Sequence, residues 1–286
     1  MIPAQFDYQR AGSLGEAVQA LAGGGEDAKV IAGGQSLLPL LRLRLAYPTL
    51  LVDIGGLGEL SGVRDAGDAL VIGATTTHYA LTRDPLIRDH CGLIAAAAGT
   101  VADPAVRHRG TIGGSLAHAD PAGDLPAVMA ALDATMLATG PGGQREIAAG
   151  DFFVDYLTTS LGPGEVLTAV RVPKLGTGWG YRYEKFQPTA QAWAIVGVAA
   201  LARRENGHVA EARIGLTNMG TVPVRARAAE AAAAGAAASR EALAGAAGHA
   251  DEGSDPPSDL RAAADYRRHL ARVLTGRALA GAAGLG

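Results

Sequence analysis

The sequence predicts an α+β chain of two domains, and three observations carry that reading. Its 286 residues exceed what one ordinary core needs. Residues 1–56 alternate helix-like and strand-like stretches, the pattern of a small α/β unit. The segment from Pro173 to Gly178 is rich in Pro and Gly and separates that region from later strand-like runs. The expected domains are residues 1–175, with sub-parts at about 1–56 and 57–175, and residues 179–286.

The elements follow in order. Ser13-Leu-Gly-Glu16 reads as a capping box, opening a helix that runs to about Ala22 and stops at Gly23 to Gly25. Val30-Ile31-Ala32 is a short apolar run, read as a strand that ends in Gly33-Gly34-Gln35-Ser36. Ser36 is placed to cap a short helix carrying Leu37, Leu38, Leu40 and Leu41. Leu50 to Ile54 reads as a strand stopped by Gly55-Gly56, and Ala69 to Ile72 as another. Thr75 to Thr77 offer caps for a helix from His78 to Thr82, and a further helix spans Leu93 to Ala98. Asp103 to Asp124, rich in Pro, Gly, Asp and His, reads as a long binding loop. A helix follows from Leu125 to Leu132, then strands at Thr135 to Ala138 and Val166 to Val172. Beyond the linker come strand-like runs at Gly180 to Phe186, Ala192 to Ala202 and Ala212 to Leu216. Ala226 to Ala234 reads as helix, Gly245 to Pro257 as loop, Asp259 to Leu274 as helix, and the tail from Gly276 as loose.

Composition narrows the function classes. Hydrophobic residues make up 48% and charged residues 19%, enough for a sizeable core. The net charge of -3, from 25 basic and 28 acidic residues, gives no basic footprint for nucleic acid. Lysine occurs only at Lys29, Lys174 and Lys185. The single cysteine, Cys91, excludes an internal disulfide and a cluster held by this chain's cysteines alone. It reads as a small buried hydrophobe. The opening MIPAQFDYQR lacks the basic start and apolar run of a signal peptide. No stretch approaches the roughly 20 apolar residues of a membrane span, so a cytoplasmic setting is expected.

Two glycine-rich segments stand out, Ala32-Gly33-Gly34-Gln35-Ser36 after a strand and Thr111-Ile112-Gly113-Gly114-Ser115 inside the expected loop. Paired glycines let backbone N–H groups approach a ligand closely, and successive N–H groups form a concave anion site. Two such segments suit a pyrophosphate gripped from two sides; two ordinary tight turns are the alternative. The G-x-G-x-x-G fingerprint fails because Ser61 stands three places after Gly58, and no Gly-Lys pair makes a Walker loop. His78, His108 and His118 lack metal-site spacing, and neither a catalytic nor a metal-ligating residue is assigned.

Longer stretches resemble the FAD-binding medium subunits of molybdenum hydroxylases, and most resemble the aerobic carbon monoxide dehydrogenase type. KVIAGGQSLLPLLRLRLAYPTLLVDI at residues 29–54 is similar to that family's first flavin motif. RHRGTIGGSLAHADPAGDLPAVMAALDA at residues 107–134 is similar to its second. GATTTH at residues 73–78, NMGTVPVRA at 218–226 and SDLRAAADYRRHLARVLTGRAL at 258–279 extend the resemblance over nearly the whole chain. It implies a two-part α/β FAD-binding domain of the vanillyl-alcohol oxidase type, followed by a smaller α+β domain.

The resemblance also implies roles. Val30, Ile31, Ala32, Gly33, Gly34, Gln35, Ser36 and Leu37, with Thr111, Ile112, Gly113, Gly114 and Ser115, match the segments that hold FAD. Asp124 stands where the family uses a carboxylate on the cofactor's sugar, a suitable acceptor for hydroxyls. Lys185 matches a lysine that reaches the cofactor from the second domain, and Val166 and Leu167 match apolar contacts near the flavin. Two departures stand beside these matches. Gln187-Pro188-Thr189 replaces an arginine pair that many relatives carry, which leaves the family's electrostatics at the flavin edge unsupported here. Gln35 stands where some relatives have histidine, so FAD is expected to be non-covalent.

The implied complex adds a small subunit with [2Fe-2S] clusters and a large subunit with the molybdenum cofactor, as a dimer of heterotrimers. It would be cytoplasmic or peripheral to the inner face of the membrane. This chain would take electrons from the clusters and pass them to an external acceptor. A stand-alone FAD-dependent oxidase or dehydrogenase is the alternative, and a scaffold that binds only partner chains is another.

Overall fold

A computed structural model describes residues 2–285. The first unit contains β1 (Asp7–Arg10), α1 (Leu14–Gly24), β2 (Ala28–Ile31), α2 (Leu37–Leu43) and β3 (Leu50–Asp53). Its strands form a parallel sheet in the order β1-β3-β2. Parallel neighbours need crossovers, which α1 and α2 supply. The Ser13 hydroxyl accepts the Glu16 N–H at 3.2 Å, and the Glu16 carboxylate accepts the Gly12 N–H at 2.8 Å. The cap is therefore real, with its return bond one residue earlier than in the usual box.

The second unit runs through β4 (Val63–Asp65), β5 (Ala69–Gly73), α3 (His78–Arg83), α4 (Pro85–His90), α5 (Gly92–Gly99), α6 (Pro104–Arg107), α7 (Ile112–His118) and α8 (Asp124–Ala131). It continues with β6 (Thr135–Gly140), β7 (Gly143–Ala148), α9 (Ala149–Phe152), β8 (Phe153–Asp155), β9 (Thr158–Thr159) and β10 (Val166–Pro173). Its five-stranded sheet has the order β4-β5-β10-β6-β7 and is antiparallel throughout. Leu70, Ile72, Met136 and Val170 from the sheet bury against Ile94, Leu116, Leu125 and Met129 from the helices.

The third unit is a four-stranded antiparallel sheet, β11 (Trp179–Phe186), β12 (Val196–Glu205), β13 (His208–Thr217) and β14 (Val224–Arg225), in that order. It is followed by α10 (Arg227–Ala233), α11 (Arg240–Ala247) and α12 (Ala264–Ala282). The run Val196 to Ala202 is buried on both faces, which explains its unbroken apolar sequence. Ala199 and Leu201 join the core of the second unit, while Val198, Ala200 and Ala202 join the core under α12. Successive strand residues point to opposite faces, so one strand serves two cores.

Helix α8 lies between the units and is tied at both ends. Arg225 donates to the Ala130 carbonyl and to Asp133 near its C-terminal end. Asp124 at its N-terminal end is bonded from β11.

Several elements differ from the expectations. The expected loop from 103 to 124 contains α6 and α7. Asp103 caps the Val106 N–H at 2.9 Å with Pro104 in the first helical position, and Thr111 caps the Gly114 N–H at 3.0 Å. These are ordinary helix-start features, outweighed in the sequence by the Pro and Gly around them. α4, β7 and α11 were not expected. Helix α2 forms, but the Ser36 hydroxyl makes no cap bond. β12 begins at Val196, so Trp193 lies in the preceding turn and is 44% exposed. The tail is not loose: α12 continues to Ala282 and buries Ala278, Leu279 and Ala282. The Ala283 carbonyl accepts from Arg204 at 2.7 Å. A run of alanines and one leucine carries little amphipathic contrast in sequence, yet fits closely against the sheet.

Candidate cofactor site

Three backbone segments lie side by side. The first leaves β2 after Ile31, turns through Gly34 with φ +73°, and enters α2 as the Leu38 N–H donates to the Gly34 carbonyl at 2.9 Å. The second is residues 74–78, between β5 and α3. The third is residues 109–115, leading into α7. The His78 N–H donates to the Gly110 carbonyl, the Ile112 N–H to the Thr76 carbonyl and the Gly113 N–H to the Ala74 carbonyl, at 2.9, 3.0 and 2.8 Å. The first segment abuts the third at Gly33, where a Cβ would stand 2.0 Å from the Arg109 carbonyl oxygen.

The two glycine segments therefore meet, but they offer different things. Among the described residues, the N–H groups of Gly33, Gly34, Gln35 and Ser36 donate to no protein acceptor. They form a run of free donors around a left-handed glycine, the shape of an anion-binding concavity. In the third segment the N–H groups of Ile112, Gly113, Gly114 and Ser115 are all used internally. A grip by N–H groups from two sides is thus not what the geometry provides. The third segment contributes an open surface instead: Gly114 is exposed, and a Cβ there would meet only the Thr111 Oγ1, at 2.9 Å. Gly113 is the opposite case, with its hydrogen side pressed on Ala74.

Asp124 begins α8 and is 5% exposed. Its Oδ1 accepts from the Tyr183 hydroxyl at 2.6 Å, and its Oδ2 accepts from Lys185 Nζ at 2.8 Å. Lys185 Nζ also donates to the Thr100 carbonyl at 3.2 Å, at the C-terminal end of α5. Burial pushes the Asp124 carboxyl up from the ordinary carboxylate range, opposed by the Lys185 charge and the two hydrogen bonds. Asp124 and Lys185, far apart in sequence, are brought into one buried pair. The turn between α7 and α8 is held by Asn218, whose N–H donates to the Pro121 carbonyl and whose side chain donates to the Ala194 carbonyl, both at 2.8 Å. Sequence reasoning gave neither Tyr183 nor Asn218 a role at this site, although Asn218 opens the 218–226 stretch that carries part of the resemblance. Tyr183 lies two residues before Lys185, and strand periodicity alone sets the two on one face.

Leu167 is buried next to a β-bulge at Thr168, whose carbonyl accepts the Ala74 N–H at 2.9 Å. Val166 faces the core of the first unit instead. His108 is exposed and stacks on Tyr79, with ring centroids 3.9 Å apart. Cys91 is fully buried, and burial pushes its thiol up to about 11. Among the described residues no group of three or more His, Cys, Asp or Glu is arranged to hold a metal.

His78 carries the clearest pH consequence. Its ring packs against Gly110, its Nδ1 has no partner among the described residues, and burial drives its pKa from 6.5 down to about 4. The folded pKa is depressed, so the unfolded chain takes the proton first. Stability is complete above the unfolded pKa and falls as pH drops toward the folded one. At pH 5 this residue is expected to cost roughly 2 kcal/mol relative to pH 7. Urea unfolding of wild type and His78→Gln at both pH values checks it: the substitution should remove that part of the pH dependence, and an unchanged difference would refute it.

A family described as the FAD binding domain in molybdopterin dehydrogenase matches residues 4–175. A second, described as the CO dehydrogenase flavoprotein C-terminal domain, matches residues 181–282. The carbon monoxide dehydrogenase medium chain of Hydrogenophaga pseudoflava is 40% identical, over 98% of this chain and 97% of its own length. Among solved structures, reconstituted CO dehydrogenase from Oligotropha carboxidovorans aligns at TM-score 0.97 with 40% identity, covering 100% of both chains. Quinoline 2-oxidoreductase from Pseudomonas putida 86 aligns at TM-score 0.94 with 37% identity, covering 99% of both.

Proposed function

The chain belongs to the family of molybdopterin dehydrogenase FAD-binding subunits, and from that premise we propose which residues hold the cofactor and which face meets the electron donor. It is a flavoprotein subunit of a molybdenum-dependent oxidoreductase, with FAD as its cofactor and partner subunits in its complex. The relatives are medium chains and FAD-binding subunits of larger enzymes, which fits this reading and not a stand-alone flavoenzyme.

One observation carries the residue assignment: the segment with the free N–H groups of Gly33 to Ser36 abuts, at Gly33, the segment 109–115 that carries the exposed Gly114. Donors without partners suit the oxygens of a pyrophosphate, and the bare glycine leaves room for a flat ring system. Val30, Ile31, Ala32, Gly33, Gly34, Gln35, Ser36 and Leu37 hold the cofactor on one side, and Thr111, Ile112, Gly113, Gly114 and Ser115 on the other. Asp124 accepts from sugar hydroxyls through the lone pairs that Tyr183 and Lys185 leave open, and Leu167 adds apolar contact. No side chain in the first segment suits covalent attachment, so binding is non-covalent. Bound FAD supplies the conversion between one-electron and two-electron transfer.

The donor is a small subunit with [2Fe-2S] clusters, which takes its electrons from a large molybdenum-cofactor subunit, in a cytoplasmic dimer of heterotrimers. The single cysteine supports placing the clusters on another chain. The docking face we assign to this partner combines residues 105–124 with Tyr183 to Trp193. Phe186 and Trp193 are exposed there, and Asn218 bonds both the 119–123 turn and Ala194, so the two stretches adjoin. Exposed aromatics are frequent interface anchors. Hydrogen exchange with and without the cluster-bearing chain tests this. Protection at residues 105–124 together with electron flow into the flavin is expected. Association with no change there, while the flavin is still reduced, would discard the face.

A further inference from the structure

We propose that Tyr183 is a positioning residue of the cofactor site: its hydroxyl, delivered by the second domain, orients the Asp124 carboxylate for the cofactor's hydroxyls. This rests on the reading that Asp124 meets FAD. Tyr183 is 8% exposed, and its hydroxyl and the Lys185 ammonium approach different oxygens of the same carboxylate. A carboxylate offers about four lone-pair sites, so two remain for a ligand. Lys185 alone does not fix where those sites point, because an ammonium on a four-carbon stem is a rotatable point charge. A second donor at the other oxygen, on a rigid buried ring, sets the carboxylate plane.

The surroundings of Tyr183 favour that one function. A Cβ at Gly197 would stand 2.7 Å from the Tyr183 hydroxyl, so the neighbouring strand is clear of side chain there. The Thr217 hydroxyl lies near it, buried and, among the described residues, without a hydrogen-bond partner, so the only hydrogen bond the Tyr183 hydroxyl donates there goes to Asp124. The ionisable groups acting on Asp124 are Lys185 and Tyr183, both on β11. Thr100, directly after α5, presents its carbonyl to Lys185. His118 and Asp120, before α8, face each other at 3.9 Å, and Arg225 from β14 is engaged with Asp133 and Glu230 at the far end of α8. Burial raises the Asp124 carboxyl, and the Tyr183 hydrogen bond opposes that rise.

Removing the hydroxyl should therefore do two things. It should loosen the carboxylate, and it should let acid protonate it sooner. The test uses the full chain, stripped of flavin and titrated with FAD by fluorescence from neutral pH down to the acid limit of folding. Tyr183→Phe keeps the ring and is expected to weaken FAD binding roughly tenfold or more at neutral pH. Its acid loss of binding should begin at higher pH than in wild type. A merely structural role would lower affinity evenly and leave that midpoint where it was, which would overturn the proposal. Asp124→Asn separates the two levels. If Asp124→Asn binds FAD like wild type, the reading of Asp124 falls first and the proposal with it. If Asp124→Asn is weak but Tyr183→Phe matches wild type in affinity and midpoint, the proposal alone fails.

Discussion

Replacing Gly114 by valine is expected to empty the cofactor site of a chain that still folds. Gly114 is exposed and its φ is not positive, so valine meets no backbone strain. The added Cβ touches only Thr111 Oγ1, and displacing that cap costs about 1 kcal/mol of helix stability. The branched side chain would occupy the face assigned to the cofactor. Overfilling a fitted contact surface weakens binding by up to about 3 kcal/mol, on the order of a hundredfold. Gly113→Val is the contrast, because its Cβ would fall within 2.5–2.9 Å of Ala74 side-chain and backbone atoms and should damage the fold itself. Flavin absorbance per protein, read beside a thermal melt, distinguishes them. A folded Gly114→Val protein with normal flavin content would remove the third segment from the site.

Asp124→Ala is expected to have two separable effects. Losing a charged acceptor should weaken FAD binding by roughly 1–3 kcal/mol, seen as cofactor release on dilution. The structure adds a cost that sequence reasoning alone does not anticipate. Lys185 would keep only the Thr100 carbonyl at a side-chain exposure of 5%, and an orphaned buried charge costs about 3–5 kcal/mol. The urea midpoint should therefore fall together with flavin affinity. Combining Asp124→Ala with Lys185→Met should recover much of the stability and none of the affinity. Wild-type FAD affinity in the combined variant would place Asp124 outside the site.

Much of this was legible from residues near one another in the chain. Ser13 and Glu16 cap α1 as their spacing indicates, and the run read as a strand at Leu50 to Ile54 forms one over Leu50–Asp53. The two glycine segments and the family resemblance pointed to the cofactor without any coordinates. All these features depend on local spacing, short-range hydrogen bonding or residue order, which a sequence displays directly.

Other features were not legible, because their causes lie far off in the chain. The helix at Ile112 to His118 tolerates Gly113 because Ala74, distant in sequence, fills the space a side chain would take. Gly33 owes its bareness to the Arg109 carbonyl, again a remote neighbour. The free N–H groups of residues 33–36 and the occupied ones of residues 112–115 look alike as glycine pairs, and differ only through the bonds to Ala74, Thr76 and Thr111. The last turns of α12 hold because Ala278, Leu279 and Ala282 meet the β11–β13 sheet, whereas an alanine-rich tail by itself has little reason to stay helical. Residue types and their order determined that this chain carries FAD and belongs to a larger oxidoreductase. Which donors are free, and that Tyr183 and Lys185 share one buried carboxylate, depended on folding: only close packing and burial turn a side chain's chemistry into a particular partner.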